Sequence, residues 1–291
     1  MSRLRVPRFA RTGSGMVGLS LLFAVLAIAL LGGLIAPHTI TETVGPPGRG
    51  PSSSAPLGTD YLGRDVLSRV LHGGRSVVIL GSAATALAYV CGLTVGLVAG
   101  YRGGLIDTLL MRGVDVLLAL PGLLVLLLLV AGLGSHVWVL LLGVMLVQLP
   151  GIARVMRTAT LEVSTRGYVE AAVARGERMS ALLGREIMPN ITPVLLADLG
   201  IRFGVSIVFI ASMNFLSLGL TPPKADWGLM ISENRDYVSL NVWGVLAPAV
   251  MLALLTIAVN LTADAYVRSL GRSSLGSRRR RAARMNPAGV A

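Results

Sequence analysis

The run SVVILGSAATALAYVCGLTVGLVAG, from Ser76 to Gly100, carries no charged side chain. A helix of about 20 such residues crosses a hydrocarbon core about 30 Å thick, so this stretch reads as a transmembrane helix. Working outward, comparable runs recur at Gly15 to Ala36, Val116 to Leu133, Val137 to Ala153, Val194 to Leu218 and Val242 to about Ala263. The expectation is an all-α membrane protein of six transmembrane helices. The first run follows Arg3, Arg5, Arg8 and Arg11 and competes with a signal peptide. It exceeds the about 7 to 15 apolar residues of a signal core and lacks a small-x-small cleavage site, so it reads as an uncleaved span.

Composition agrees. The 291 residues are 54% hydrophobic and 14% charged, with mean hydropathy +0.74, and the segments between spans are too short to fold as a separate soluble domain. Lys224 is the only lysine. A phosphate-binding loop needs a lysine after its glycine-rich turn, whereas Lys224 follows Pro222 and Pro223, so this chain carries no such ATPase. Cys91, the single cysteine, makes neither an internal disulfide nor a Cys-x-x-Cys site.

The 26 basic residues outnumber the 14 acidic ones, for a net charge of +12. With six spans and both termini in the cytoplasm, the arginines concentrate on the inner segments, notably between Arg154 and Arg185 and from Arg268 to Arg284, as the positive-inside rule requires. That explains the charge without nucleic acid, for which no motif is present. The basic tail reads as attracted to lipid headgroups. The expected organisation is a basic N-terminus at 1–14, a first span at 15–36, an extracytoplasmic segment at 37–75, a transmembrane core at 76–263 with an inner loop at 154–192, and a cytoplasmic tail at 264–291, disordered at its end.

Two segments outside the spans stand out by length. From Pro37 to Arg75, the first half is rich in Pro, Gly and Ser and reads as a flexible loop; the second, Leu57 to Gly74, reads as ordered. The inner segment from Arg154 to Thr192 is long for a loop but helical in composition. Within it, Tyr168-Val169-Glu170-Ala171-Ala172-Val173-Ala174-Arg175-Gly176 reads as a short helix, with Ser164 or Thr165 as cap and Gly176 as stop. Its small apolar face, taken as Tyr168, Ala172 and Met179, suits insertion into a groove of a partner.

Glu-Ala-Ala, three residues, Gly, and then Ile187-Met188-Pro189 at this spacing resembles the coupling motif of permease subunits of ATP-binding-cassette importers. The resemblance extends to Leu57-Gly58-Thr59-Asp60-Tyr61-Leu62-Gly63-Arg64-Asp65, to Asp107 through Pro121, and to Phe215-Leu216-Ser217-Leu218-Gly219 with Trp227-Gly228. These look like dipeptide and oligopeptide importer permeases, the second of their two permease subunits. Met188 stands where the family usually has Leu, and Asn260 to Arg268 keeps only part of the usual ending. Nickel and glutathione importers share most of these motifs.

The resemblance implies the type I importer permease fold, with an ordered extracytoplasmic segment between spans 1 and 2 and a cytoplasmic coupling helix. It implies a heterodimer with a homologous permease, two ATPase subunits or domains that hold ATP and Mg, and an extracytoplasmic binding protein that delivers a peptide. No cofactor is expected in this chain. Glu170, Ala171, Ala172 and Gly176 are placed at the ATPase contact, with Arg175 beside them, and Thr59, Asp60, Arg64 and Asp65 are candidates for touching the binding protein. The setting would be the inner membrane of a prokaryote.

Asp198 and Arg202 lie inside a span four residues apart, where they pair on one helix face. Ser206, Phe209 and Met213 continue that stripe. It reads either as a lining of the translocation path or as an anchor between helices. His38, His72 and His136 have no metal-ligand spacing. An ion-driven secondary transporter would want acidic residues at mid-membrane in broken spans, and Asp198 alone answers to that. An intramembrane serine protease would need a Ser and His pair, for which Ser82, Ser206 and His136 are the poor candidates.

Overall fold

The computed structural model describes residues 13–285, with side chains over 15–268. The arginines at positions 3 to 11, those of the tail beyond 268, and the expected disorder after 285 lie outside this description. The helices are α1 (Gly13–Ile35), α2 (Val66–Arg102), α3 (Gly104–Leu118), α4 (Gly122–Leu133), α5 (Val137–Ser164), α6 (Gly167–Ala174), α7 (Met179–Ala181), α8 (Met188–Phe215), α9 (Trp227–Asn234) and α10 (Trp243–Met285). A wider π turn, Leu182–Ile187, joins α7 to α8.

Five of these helical stretches are long and apolar enough to cross a membrane. The run expected as one span at 116–133 is instead broken: α3 and α4 meet at 85°. Pro121 has no N–H to donate, and it disfavours helix at the residue before it. A sixth span exists only if this bent pair counts as one.

The 37 residues of α2 extend about 56 Å at 1.5 Å per residue, well beyond a bilayer core. Its start is fixed by Asp65, whose carboxylate accepts from the N–H groups of Leu67 (3.3 Å) and Ser68 (3.0 Å). The second span therefore begins ten residues before Ser76, and part of the expected outer segment is helix. Its first turns precede the uncharged run and carry Arg69.

Small residues set the central packing. Gly92, Gly96 and Gly100 repeat every four residues along α2, and a Cβ on any of them would come within 2.7–2.8 Å of α5 atoms at Ile152, Ala153, Met156, Arg157 or Thr160. Two backbones approach closely only where side chains are absent. α8 packs across both helices, α1 lies against α2 and α10, and buried apolar clusters fill the outer, central and inner levels of the bundle.

The first half of the outer segment, expected to be a flexible loop, is tied down. Val44 N–H donates to Gly63 O (2.9 Å), Gly48 N–H to Asp60 O (3.0 Å), and Thr59 Oγ1 to Pro46 O (2.6 Å). Glycine and proline shape its turns rather than loosening it.

Candidate functional site

At one end of the bundle, α6 projects from the loop between α5 and α8. It rests on Val169 and Ala172, which are buried; Val169 joins Val163 of α5 and Ile187 of the π turn in an apolar cluster. Of the small apolar face expected to meet a partner, Tyr168, Ala172 and Met179, Ala172 is buried against the bundle and Met179 is half-buried. Tyr168 is 39% exposed and Val173 50%, because the β-branched Val169 takes the inward position. Glu170, Ala171, Arg175 and Gly176 are all exposed. Neither Ser164 nor Thr165 caps the helix; Arg166 occupies the N-cap without a side-chain bond.

Gly176 ends this element at φ +76°, a left-handed conformation that glycine adopts without a Cβ penalty. It lets Gly176 N–H reach Val173 O (2.9 Å) and Glu177 N–H reach Ala172 O (3.3 Å), closing the helix as a glycine C-cap does. Arg175 Nη2 pairs with Glu177 Oε1 at 2.6 Å. The result is a short helix seated on its own bundle, with an acid, a base and two apolar side chains turned to solvent.

The stripe on α8 is brought together, but against the chain's own helices. Tyr89 OH donates to Asp198 Oδ2 (2.7 Å), and Arg202 Nε lies 3.3 Å from the same oxygen. Thr85 Oγ1 donates to Ser206 Oγ (2.7 Å), while Gln148 Nε2 donates to Ser206 Oγ (2.6 Å) and Arg202 O (2.9 Å). Ser206 and Met213 are fully buried, and Phe209 is half-buried. Of the two readings of this stripe, path lining or anchor between helices, these bonds favour the anchor, a seam among α2, α5 and α8. The open side of α8 presents Val208, Ser212, Phe215 and Leu216 to an apolar concavity of about 620 Å³ shared with Leu123 and Thr256.

At the opposite end, Thr59, Asp60, Arg64 and Asp65, the candidates for touching a binding protein, are each at most 3% exposed rather than presented at the surface. They are used internally instead. Asp60 Oδ2 receives Arg64 Nε (2.6 Å) and Arg69 Nη1 (2.5 Å), and Glu233 Oε2 receives Arg69 Nη2 (2.9 Å). Burial pushes the Glu233 carboxyl above its ordinary range, against the pull of Arg69 and Arg64. Asn241 Nδ2 donates to Leu57 O (3.0 Å) and Thr59 O (3.1 Å), and Trp227 Nε1 to Val70 O (2.8 Å). The outer segment is thereby fastened to α2, α9 and the start of α10.

Sequence reasoning missed Tyr89 and Gln148, whose polar groups inside apolar runs were the available signal, and Arg69 and Glu233, whose charges flank spans. It also missed Asp107 with Arg157 and Asp115 with Arg154, which pair at 2.5 Å and tie α3 to α5. Among the described residues, no group of three or more His, Cys, Asp or Glu is placed to hold a metal ion.

Comparison with known proteins gives this geometry a context. Residues 92–273 match the family model described as binding-protein-dependent transport system inner membrane component. The di/tripeptide transport system permease protein DppC of Pseudomonas aeruginosa is 32% identical over 88% of this chain and 87% of its own length. The glutathione transport system permease protein GsiD of Pectobacterium atrosepticum is 36% identical over 74% of this chain and 71% of its own. Among solved structures, an inward-facing MetNI methionine ABC transporter chain aligns with TM-score 0.56 at 18% identity, over 69% of this chain and 95% of that one, a likeness of fold. This chain therefore belongs to the family of inner-membrane permease components of binding-protein-dependent ABC importers.

Proposed function

We propose that this protein is the second permease subunit of an ATP-driven importer of di- or oligopeptides. It pairs with a homologous permease through six spans, both termini lie in the cytoplasm, and two ATPase subunits or domains dock on α6. ATP and Mg are held by those partners, and a binding protein delivers peptide at the opposite end. The observation that carries this reading is α6 itself: a helix closed by Gly176 whose inner face is buried in its own bundle and whose Glu170, Ala171 and Arg175 are exposed to a second protein. The relatives supply the substrate class, and the glutathione permease among them keeps small peptides in view.

A push on α6 would reach the spans through the π turn that runs directly into α8. ATP can drive such a change only by binding one conformation more tightly than the other. The apolar concavity beside Val208 and Phe215 is the surface that a second permease and the passing peptide would share.

Purification of the tagged chain in mild detergent, followed by mass spectrometry, tests the assembly. Recovery of a second permease with phosphate-loop ATPases is the expected outcome. A chain recovered alone that transports peptide in proteoliposomes under an ion gradient, without ATP, overturns it in favour of a secondary transporter.

A further inference from the structure

The end of the bundle that carries α9 holds few cations, and several are already neutralised. Arg64 and Arg69 are paired with Asp60 and Glu233, and Arg235 lies 3.6 Å from Asp236. Arg75 and Lys224 differ: both are exposed, and neither is among the ion pairs of the described residues. They line one concavity of about 420 Å³, together with Ile79, Leu80, Val137 and Leu220. Its third basic group, His72, donates Nδ1 to Ser68 O (2.8 Å).

The surroundings point to lipid. Arg75 sits where α2 enters its uncharged run, the level at which headgroups meet hydrocarbon. Further along the same helix face, Ile79 (50% exposed), Ala86 and Val90 (65%) lie bare. Next to Val137, Trp138 is 55% exposed and stacks on His136 with centroids 6.3 Å apart. Amphipathic rings collect at this depth of a bilayer, and Arg and Lys hold phosphate oxygens through charge-assisted hydrogen bonds. We propose that this concavity seats one anionic phospholipid, its phosphate held by Arg75 and Lys224 and an acyl chain lying along Ile79, Ala86 and Val90.

The apolar floor separates a lipid from free phosphate, which would gain nothing from Ile79 or Val137. The test is native mass spectrometry of the delipidated permease complex titrated with dioleoylphosphatidylglycerol or dioleoylphosphatidylcholine. The wild type is expected to retain one phosphatidylglycerol that it does not retain as phosphatidylcholine. Replacing Arg75→Gln and Lys224→Gln together should weaken that binding by about fivefold per cation, Arg75→Lys should keep it, and Arg49→Gln, away from the concavity, should not alter it. Three results overturn the proposal: unchanged phosphatidylglycerol binding in the double variant, displacement of the lipid by millimolar inorganic phosphate, or shielding of Arg75→Cys from an impermeant maleimide only when the second permease is present. None of these readouts involves transport, so failure here leaves the importer reading standing.

Discussion

Arg69 Nη1 donates to Asp60 Oδ2 over 2.5 Å, and both side chains are completely buried. That pair joins the outer segment to the first turns of α2, while the other arm of Arg69 reaches Glu233 on α9. Removing one member strands a buried charge, at a cost of about 3–5 kcal/mol. Arg69→Met should therefore sharply lower the yield of folded protein and the midpoint of thermal unfolding in detergent. Arg235→Gln, whose ion pair with Asp236 is exposed, should leave both nearly unchanged. Equal melting of Arg69→Met and wild type would show that the cluster does not hold the outer segment to α2 and α9.

Tyr89 and Asp198 meet at 2.7 Å between α2 and α8. Tyr89→Phe keeps the ring and removes one donor from a carboxylate, a loss of about 1.5–3 kcal/mol. Asp198→Asn leaves Arg202 without its counter-charge and should destabilise more. Because the three groups share one network, the effects of Tyr89→Phe and Asp198→Asn should not add. A double-mutant cycle on thermal midpoints measures this, and simple additivity would argue that the hydroxyl and carboxylate act independently.

How far the sequence could be read depends on what fixes each feature. Spans such as Ser76 to Gly100 were legible because the bilayer imposes a length and an apolar composition on a single segment. The helix α6 was legible from its composition, and Gly176 marked its end. Which of its side chains meet the bundle was not, since the burial of Val169 and Ala172 depends on the pocket made by Val163 and Ile187, from other elements. The same holds for Asp60 and Arg64: their charges suggested a contact surface, and only the arrival of Arg69 and Glu233 shows them buried and matched. The break at Ala119 to Pro121 had a local signal in the proline, outweighed by the apolar run around it.

Gly96 lies at the closest part of the α2 and α5 crossing, where a Cβ would stand 2.7 Å from Ala153 O and Met156 Cβ. Gly96→Val adds a branched side chain to a space already filled by backbone. Overpacking of this kind costs about 1–3 kcal/mol, so the variant should unfold at lower temperature and open this seam to protease. Gly113→Ala, with nothing within 4 Å of its added Cβ, is the control expected to behave as wild type.

The two faces of α6 separate folding from coupling. Glu170 is exposed and makes no ion pair among the described residues, so Glu170→Lys should leave expression and melting unchanged, yet reduce transport and peptide-stimulated ATP hydrolysis by the assembled complex by about tenfold, a barrier change of about 1.4 kcal/mol. Gly176→Ala acts differently, because a side chain at φ +76° costs about 1–2 kcal/mol and loosens the C-cap. Its transport should fall together with protection of residues 167–177 in hydrogen exchange. Val169→Ala, which empties the inner seat of the helix, should resemble the glycine variant rather than the charge reversal. If Glu170→Lys transports as wild type while its complex remains assembled, α6 is not the docking surface, and the ATPases must contact another part of the inner loop.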